Sequence, residues 1–254
     1  MTPAPARFEV LGVRIDAIEL RDAVETIDDW IRTRRRDYVV LTGAHGIVEM
    51  QRDEQLRRIN NAAGLVTPDG MPVVWIGRRL GHRRIEKVYA PDLMRAVLEL
   101  GLERGYRHFL YGGDQGLVDA LQRSLAARYP GVLVVGAHSP PFRPLTADEE
   151  PAVADLINRS ACDIVWVGLG CPKQERWMAR FRPLLDAPVL VGVGAGFDFL
   201  AGRKPEAPRW IKHSGLEWLF RMISEPRRLW PRYSRVIPRF LWGLALEELR
   251  RLAP

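Results

Sequence analysis

Short apolar runs without polar alternation recur along the chain at Tyr38–Leu41 (YVVL), His108–Tyr111 (HFLY), Val132–Gly136 (VLVVG), Ile164–Val167 (IVWV) and Val189–Val193 (VLVGV). Runs of this length, bounded by glycines and turn residues, predict strands buried on both faces. Between them, apolar positions at helical spacing predict helices over Leu20–Ile31, Glu49–Ala63, Leu93–Arg104, a stretch ending at Arg128, Ala147–Ser160 and Lys173–Leu185. Phe8–Ile18 alternates like two strands joined at Gly12. Strand, glycine turn and helix in repetition predict an α/β protein with a doubly wound, mainly parallel sheet of the Rossmann-like kind.

Ligands of such sheets lie beyond the carboxyl ends of the strands. There the chain carries Gly112 and Gly113, Gly168 and Gly170, and Gly192, Gly194 and Gly196. Glycines in these turns let backbone N–H groups come close to a nucleotide. None of these turns has the G-x-G-x-x-G spacing, which argues against a dinucleotide enzyme. Lys173, Gln174 and Glu175 open the helix after Gly170, where they can face a phosphate or sugar hydroxyl, or simply begin a helix. Thr42 and His45 follow the first buried strand in a strand-to-helix loop, a place where catalytic groups gather. Equally, Thr42 caps the next helix and His45 is a surface residue. Leu65–Trp75 turns sharply at Pro68, Asp69 and Gly70, and an Asp in such a turn is ordinary turn chemistry. Asp92 either serves a site or caps the helix behind it.

Charge separates two regions, residues 1–202 as an α/β core and 203–254 as a basic appendage. From Ala201 onward there are 12 Lys/Arg against 5 Asp/Glu, while the first 200 residues hold 26 of each. The excess is interleaved with Trp and Phe and carries no nucleic-acid motif, so a diphosphate or an anionic lipid surface is the expected partner. Arg-rich helices with aromatics on the other face lie in the bilayer interface, which would put Trp230, Phe240 and Trp242 at headgroup depth; the alternative is that they pack on the core or at a subunit contact. Pro226, Pro231 and Pro238 are expected to break this segment. With no apolar signal core and no run long enough to span a bilayer, the chain reads as cytoplasmic. Cys162 and Cys171 lack metal or disulfide spacing and read as core thiols. No Asp-x-Asp pair and no His ligand spacing is present, so no bound metal is expected.

The string VGLGCPKQERWM, followed by GVGAGFDFLAG, APRWI, GLEWLFR and EPRRL, resembles the WecG/TagA/CpsF glycosyltransferases, glycosyltransferase family 26. The likeness reaches back through TPDGMPVVW, PDLM, YGGD and SPPFR, covering about Leu11 to Phe240. It implies inverting, metal-independent transfer from a UDP-sugar to a polyprenyl-diphosphate-linked saccharide at the inner face of the membrane, without a cofactor. It offers Asp69 as the base, Thr42 as a contact to donor or acceptor, Gln174 as a donor contact, and Arg221 and Arg228 for the departing diphosphate. It also implies self-association. The chain departs from the family pattern at Ala44, where Asn is often seen, at Lys87 and Ala90, where Arg and Gly are usual, and at Pro231, which leaves Arg232 as the substitute for a frequent Arg. Lys87 keeps the charge of the arginine but not its planar fork. Those departures also permit a non-catalytic nucleotide-sugar-binding scaffold of a polysaccharide assembly. The donor sugar, whether N-acetylmannosamine, glucose or glucuronate, is left open.

Overall fold

The computed structural model describes residues 5–252, the side chains of residues 209, 212, 213, 251 and 252 excepted. Met1 to Ala4, most of the Pro/Ala-rich start, lie outside the described residues. A hairpin, β1 (Arg7–Val10) and β2 (Val13–Asp16), precedes a six-stranded sheet built from β3 (Asp37–Thr42), β4 (Leu65–Pro68), β5 (Arg107–Tyr111), β6 (Leu133–His138), β7 (Ile164–Val167) and β8 (Val189–Gly192). The sheet order is β4-β3-β8-β7-β5-β6, and every neighbouring pair is parallel.

The central strands β7 and β8 are apolar and buried at every position because both faces are covered, whereas the edge strand β6 has no buried residue. Alternate residues of β3 face opposite ways. Tyr38 and Val40 pack with α2 (Ala44–Met50), α3 (Glu54–Ala62), α7 (Glu149–Arg159) and α8 (Lys173–Phe181). Val39 packs with α1 (Leu20–Thr33), α5 (Ala90–Arg104), α6 (Gln115–Arg128) and α9 (Gly196–Leu200). This is the doubly wound α/β arrangement expected from the periodicity. Helix α2 leaves β3 on one face and α9 leaves the adjacent β8 on the other, so the loops between them diverge and open a crevice.

Three expectations are corrected. Glu49–Ala63 is two helices, because Asp53 accepts a hydrogen bond from the Leu56 amide (2.9 Å) and starts α3 afresh. Leu65–Pro68, read only as the approach to a turn, is strand β4, held in register with Val39–Thr42. Finally, α12 (Pro226–Leu252) runs straight through Pro231 and Pro238. Both prolines are exposed, so the helix carbonyls they leave without a donor can be met by water.

The C-terminal region forms α10 (Arg209–Ser214), α11 (Glu217–Ser224) and α12, following α4 (Met71–Arg79) and the core helices in chain order. Helix α12 lies on the core. Leu229, Val236 and Phe240 are buried, each contributing roughly 1.5–3 kcal/mol. Glu247 accepts from the Leu11 amide at 3.3 Å, and Arg79 pairs with Glu248. Among the described residues, no helix is long and apolar enough to cross a membrane.

Candidate active site

A cleft of about 650 Å³ occupies the crevice at the carboxyl ends of β3, β4 and β8, and α11 and α12 form its far wall. Asp69 stands in the turn after β4. Its amide donates to the Thr42 carbonyl (3.0 Å), and the carbonyl of the preceding Pro68 accepts from Val88 (2.9 Å), so neighbours on both sides fix the turn. A Cβ at Gly43 would lie 2.2 Å from the Asp69 carbonyl oxygen, so only glycine lets the two loops meet. Burial raises the Asp69 pKa above its ordinary value; Lys87 and Arg221 oppose that rise and Glu217 adds to it.

The wall formed by α11 and α12 is cationic. Arg221, Arg228 and Arg232 all line the cleft. Arg221 stacks over the Phe199 ring at 5.5 Å, and its Nε has no hydrogen-bond partner among the described residues. Arg228 is held bidentately by Glu225 at 2.7 and 2.8 Å. Burial and the charges of Arg228 and Arg221 depress the Arg232 pKa, as expected where guanidinium groups are gathered without enough counter-charge. His45, on α2, also lines the cleft. Its pKa is lowered by burial and by Arg232, with Glu49 at 3.7 Å acting against them.

The other sequence-derived candidates fall into two groups. Lys87, Gly170, Gln174 and Gly194 line the cleft together with Asp69, Thr42 and His45. Several of these side chains are committed to the protein itself. The Thr42 hydroxyl is buried and donates to Asn60 Oδ1 at 2.6 Å, so it neither caps α2 nor offers its proton to a ligand. Gln174 accepts from the Gly170 amide and donates to Glu175 Oε1, both at 3.1 Å, which braces the β7–α8 loop. Lys87 is paired with Glu217 and sits over the Tyr89 ring, 4.4 Å from its centroid.

Asp92, Gly112, Gly113, Gly168 and Lys173 do not line the cleft. Asp92 accepts from Arg95 at 2.8 Å on α5. Gly112 (φ 117°) packs against the Gly168 carbonyl, a Cβ at Gly113 would meet Leu117, and one at Gly168 would meet the Phe197 ring. Gly112 thus lets the β5 and β7 loops meet, while Gly113 and Gly168 make room for side chains of α6 and α9. Lys173 is exposed at the start of α8.

Sequence reasoning passed over Glu217 and Tyr89 as site residues, while Glu175, read as facing a phosphate or sugar hydroxyl or simply beginning a helix, does line the cleft. Glu217 lies within the GLEWLFR string, is nearly buried and lines the cleft. Glu175, nine-tenths or more buried at the cleft floor, has its pKa raised by desolvation.

On the outer side of α12, Trp230 (63% exposed) and Trp242 (67%) point away from the core, whereas Phe240 (4%) is part of it. The expectation that all three sit at headgroup depth is therefore corrected for Phe240, whose ring belongs to the cluster beneath the sheet's first face. Among the described residues, no three His, Cys, Asp or Glu side chains are grouped to hold a metal ion.

The Glycosyl transferase WecG/TagA/CpsF family model matches residues 8–254. An N-acetylglucosaminyldiphosphoundecaprenol N-acetyl-beta-D-mannosaminyltransferase of Staphylococcus aureus strain MW2 is 29% identical over 245 residues, covering 94% of this chain and 92% of the relative. A protein with the same name from Bacillus subtilis strain 168 is 28% identical over 197 residues, covering 78% of this chain and 74% of the relative.

Proposed function

Given that the chain belongs to the WecG/TagA/CpsF family and is a glycosyltransferase, we propose that it moves a sugar from a UDP-sugar to a polyprenyl-diphosphate-linked saccharide, inverting the anomeric centre without a metal ion. The observation that carries this reading is that Asp69 and the three arginines Arg221, Arg228 and Arg232 line one cleft. A desolvated carboxylate is a stronger base than one in water, as proton abstraction from a sugar hydroxyl requires. Asp69 takes the acceptor hydroxyl proton, and the oxygen attacks the anomeric carbon from the face opposite the nucleotide. The bond from that carbon to the diphosphate oxygen breaks, and its electron pair leaves with UDP. The guanidinium groups meet the growing charge, a task that preorganised donors perform well in a water-poor site.

The two relatives are named for transfer of N-acetylmannosamine to N-acetylglucosaminyldiphosphoundecaprenol, which puts that donor first among the three left open by the sequence. Trp230 and Trp242, outward on an arginine-rich helix, support contact with an anionic membrane where a lipid-linked acceptor would lie. Incubation with UDP-N-acetylmannosamine, UDP-glucose or UDP-glucuronate and a short-chain polyprenyl-diphosphate N-acetylglucosamine tests the reading. UDP release that requires the acceptor is expected. Acceptor-independent release, or none with any donor, overturns it.

A further inference from the structure

Lys87 bears more strongly on Asp69 than any other charged side chain, yet its ammonium is not paired with Asp69. It is paired with Glu217 from α11, and both side chains are nearly withdrawn from solvent (13% and 12% exposed). The ammonium also lies over the Tyr89 ring, so a carboxylate and a π-face fix it from two directions. An unpaired buried lysine next to a carboxylate would close on it, and an aspartate in an ion pair is a weaker base. We infer that Glu217 is a positioning residue for Asp69: by holding the Lys87 ammonium in a separate ion pair, it leaves the Asp69 carboxylate free to accept a substrate proton.

This inference rests on the base role proposed for Asp69. It gives the C-terminal helices a second task, since the segment that brings cations to the diphosphate also brings an anion beside the base. The remaining charges around this group are Arg221 from α11, which pulls the Asp69 pKa down, and Glu206, which acts on Tyr89. Farther along the cleft, Arg228 and Arg232 act on Tyr233, and Arg232 acts on His45 with Glu49 opposing it. The Lys87–Glu217 pair is the part of this field that two substitutions can separate.

The test is a carboxyl-carbon NMR titration of the full chain labelled at Asp, with the Asp69 signal assigned by its loss in Asp69→Asn. Removing the anion alone, Glu217→Gln, is expected to move the Asp69 titration to lower pH. Removing the cation alone, Lys87→Met, should move it to higher pH, and the double variant should return close to the parent. Glu217→Asp, which keeps the charge with a shorter reach, should fall between parent and Glu217→Gln. In turnover, Glu217→Gln should lose roughly tenfold in kcat with donor KM little changed, a fraction of what general-base catalysis supplies, and should shift the acid limb of the pH profile the same way. Shifts of the same sign in both single variants, or none in Glu217→Gln, overturn the inference. If the parent releases no UDP, the functional reading fails while the titration still reports on the pair.

Discussion

The Asp69 amide and the Thr42 carbonyl, 3.0 Å apart, extend the β3–β4 pairing one step beyond the strands, so the turn that presents the carboxylate is fixed by the sheet itself. A carboxylate held this way can be neutralised without disturbing its surroundings. Asp69→Asn should lower transfer by about 10²–10⁴-fold, the usual worth of a general base, while UDP binding by calorimetry stays near the parent value.

The same substitution has a stability signature. Burial raises the Asp69 pKa above its ordinary 3.8, so the folded state holds the neutral acid at no charge cost below about pH 3.8 and bears the cost of a buried charge as pH rises through the raised value. Asp69→Asn should therefore melt at the parent temperature in acid and higher at pH 8, by about 2–4 °C for each kcal/mol relieved. Thermal melts across that range check the sign.

If the guanidinium wall replaces a metal, chelation by EDTA should leave transfer unchanged, and Arg232→Ala should cost about 10–100-fold in kcat/KM for the donor through a lost charge-assisted hydrogen bond. Arg232→Lys should recover part of the loss. Steady-state kinetics of the three preparations decide whether Arg232 serves where Pro231 interrupts the usual arginine.

Thr42 is expected to act through the fold. Its hydroxyl satisfies Asn60 Oδ1, which Thr42→Val would leave buried and unpaired at a cost of about 1–3 kcal/mol. Urea denaturation should show that loss, with donor KM unaltered. A rise in KM without a loss of stability would restore Thr42 to substrate contact.

His108 reports on the core. It accepts from Trp166 Nε1 at 3.1 Å, and burial pushes its pKa down to about 4 from 6.5. Its contribution is present above pH 6.5 and is lost as pH falls through about 4, a swing of about 3 kcal/mol. Denaturation curves between those limits should show it, and His108→Gln should flatten the dependence.

The outward and inward aromatics of α12 should separate by assay. Trp230→Ala with Trp242→Ala should weaken binding to anionic vesicles severalfold with little change in melting temperature. Phe240→Ala should cost about 3–5 kcal/mol of stability. Sedimentation with vesicles and thermal melts give both readings.

Periodicity made the sheet legible. IVWV at Ile164–Val167 is β7 to the residue, and the strands either side of the cleft differ from their apolar runs by one or two positions. Strand β4 was harder to see, because its Thr67 and Pro68 read as a turn until β3 supplies their partners. Within the cleft, Asp69 and the arginines were reachable through motif resemblance. Glu217 was not singled out although it lies in the GLEWLFR string, because its partner Lys87 is 130 positions away in sequence. For Gly112, Gly113 and Gly168, glycine turns that suit a nucleotide look the same in sequence as turns that suit tight loop packing, and contact with Phe197 and Leu117 decided between them.

Strand β3 has β4 on one side, made from the next stretch of chain, and β8 on the other, where Asp37 faces Val189. The middle of the sheet therefore cannot assemble from neighbouring sequence. Until β8 arrives, the edge of β3 is an open template for any extended chain, and closing so long a loop is slow. Refolding from denaturant should be a late, concentration-sensitive event, in which β8 competes with other molecules for the same strand edge.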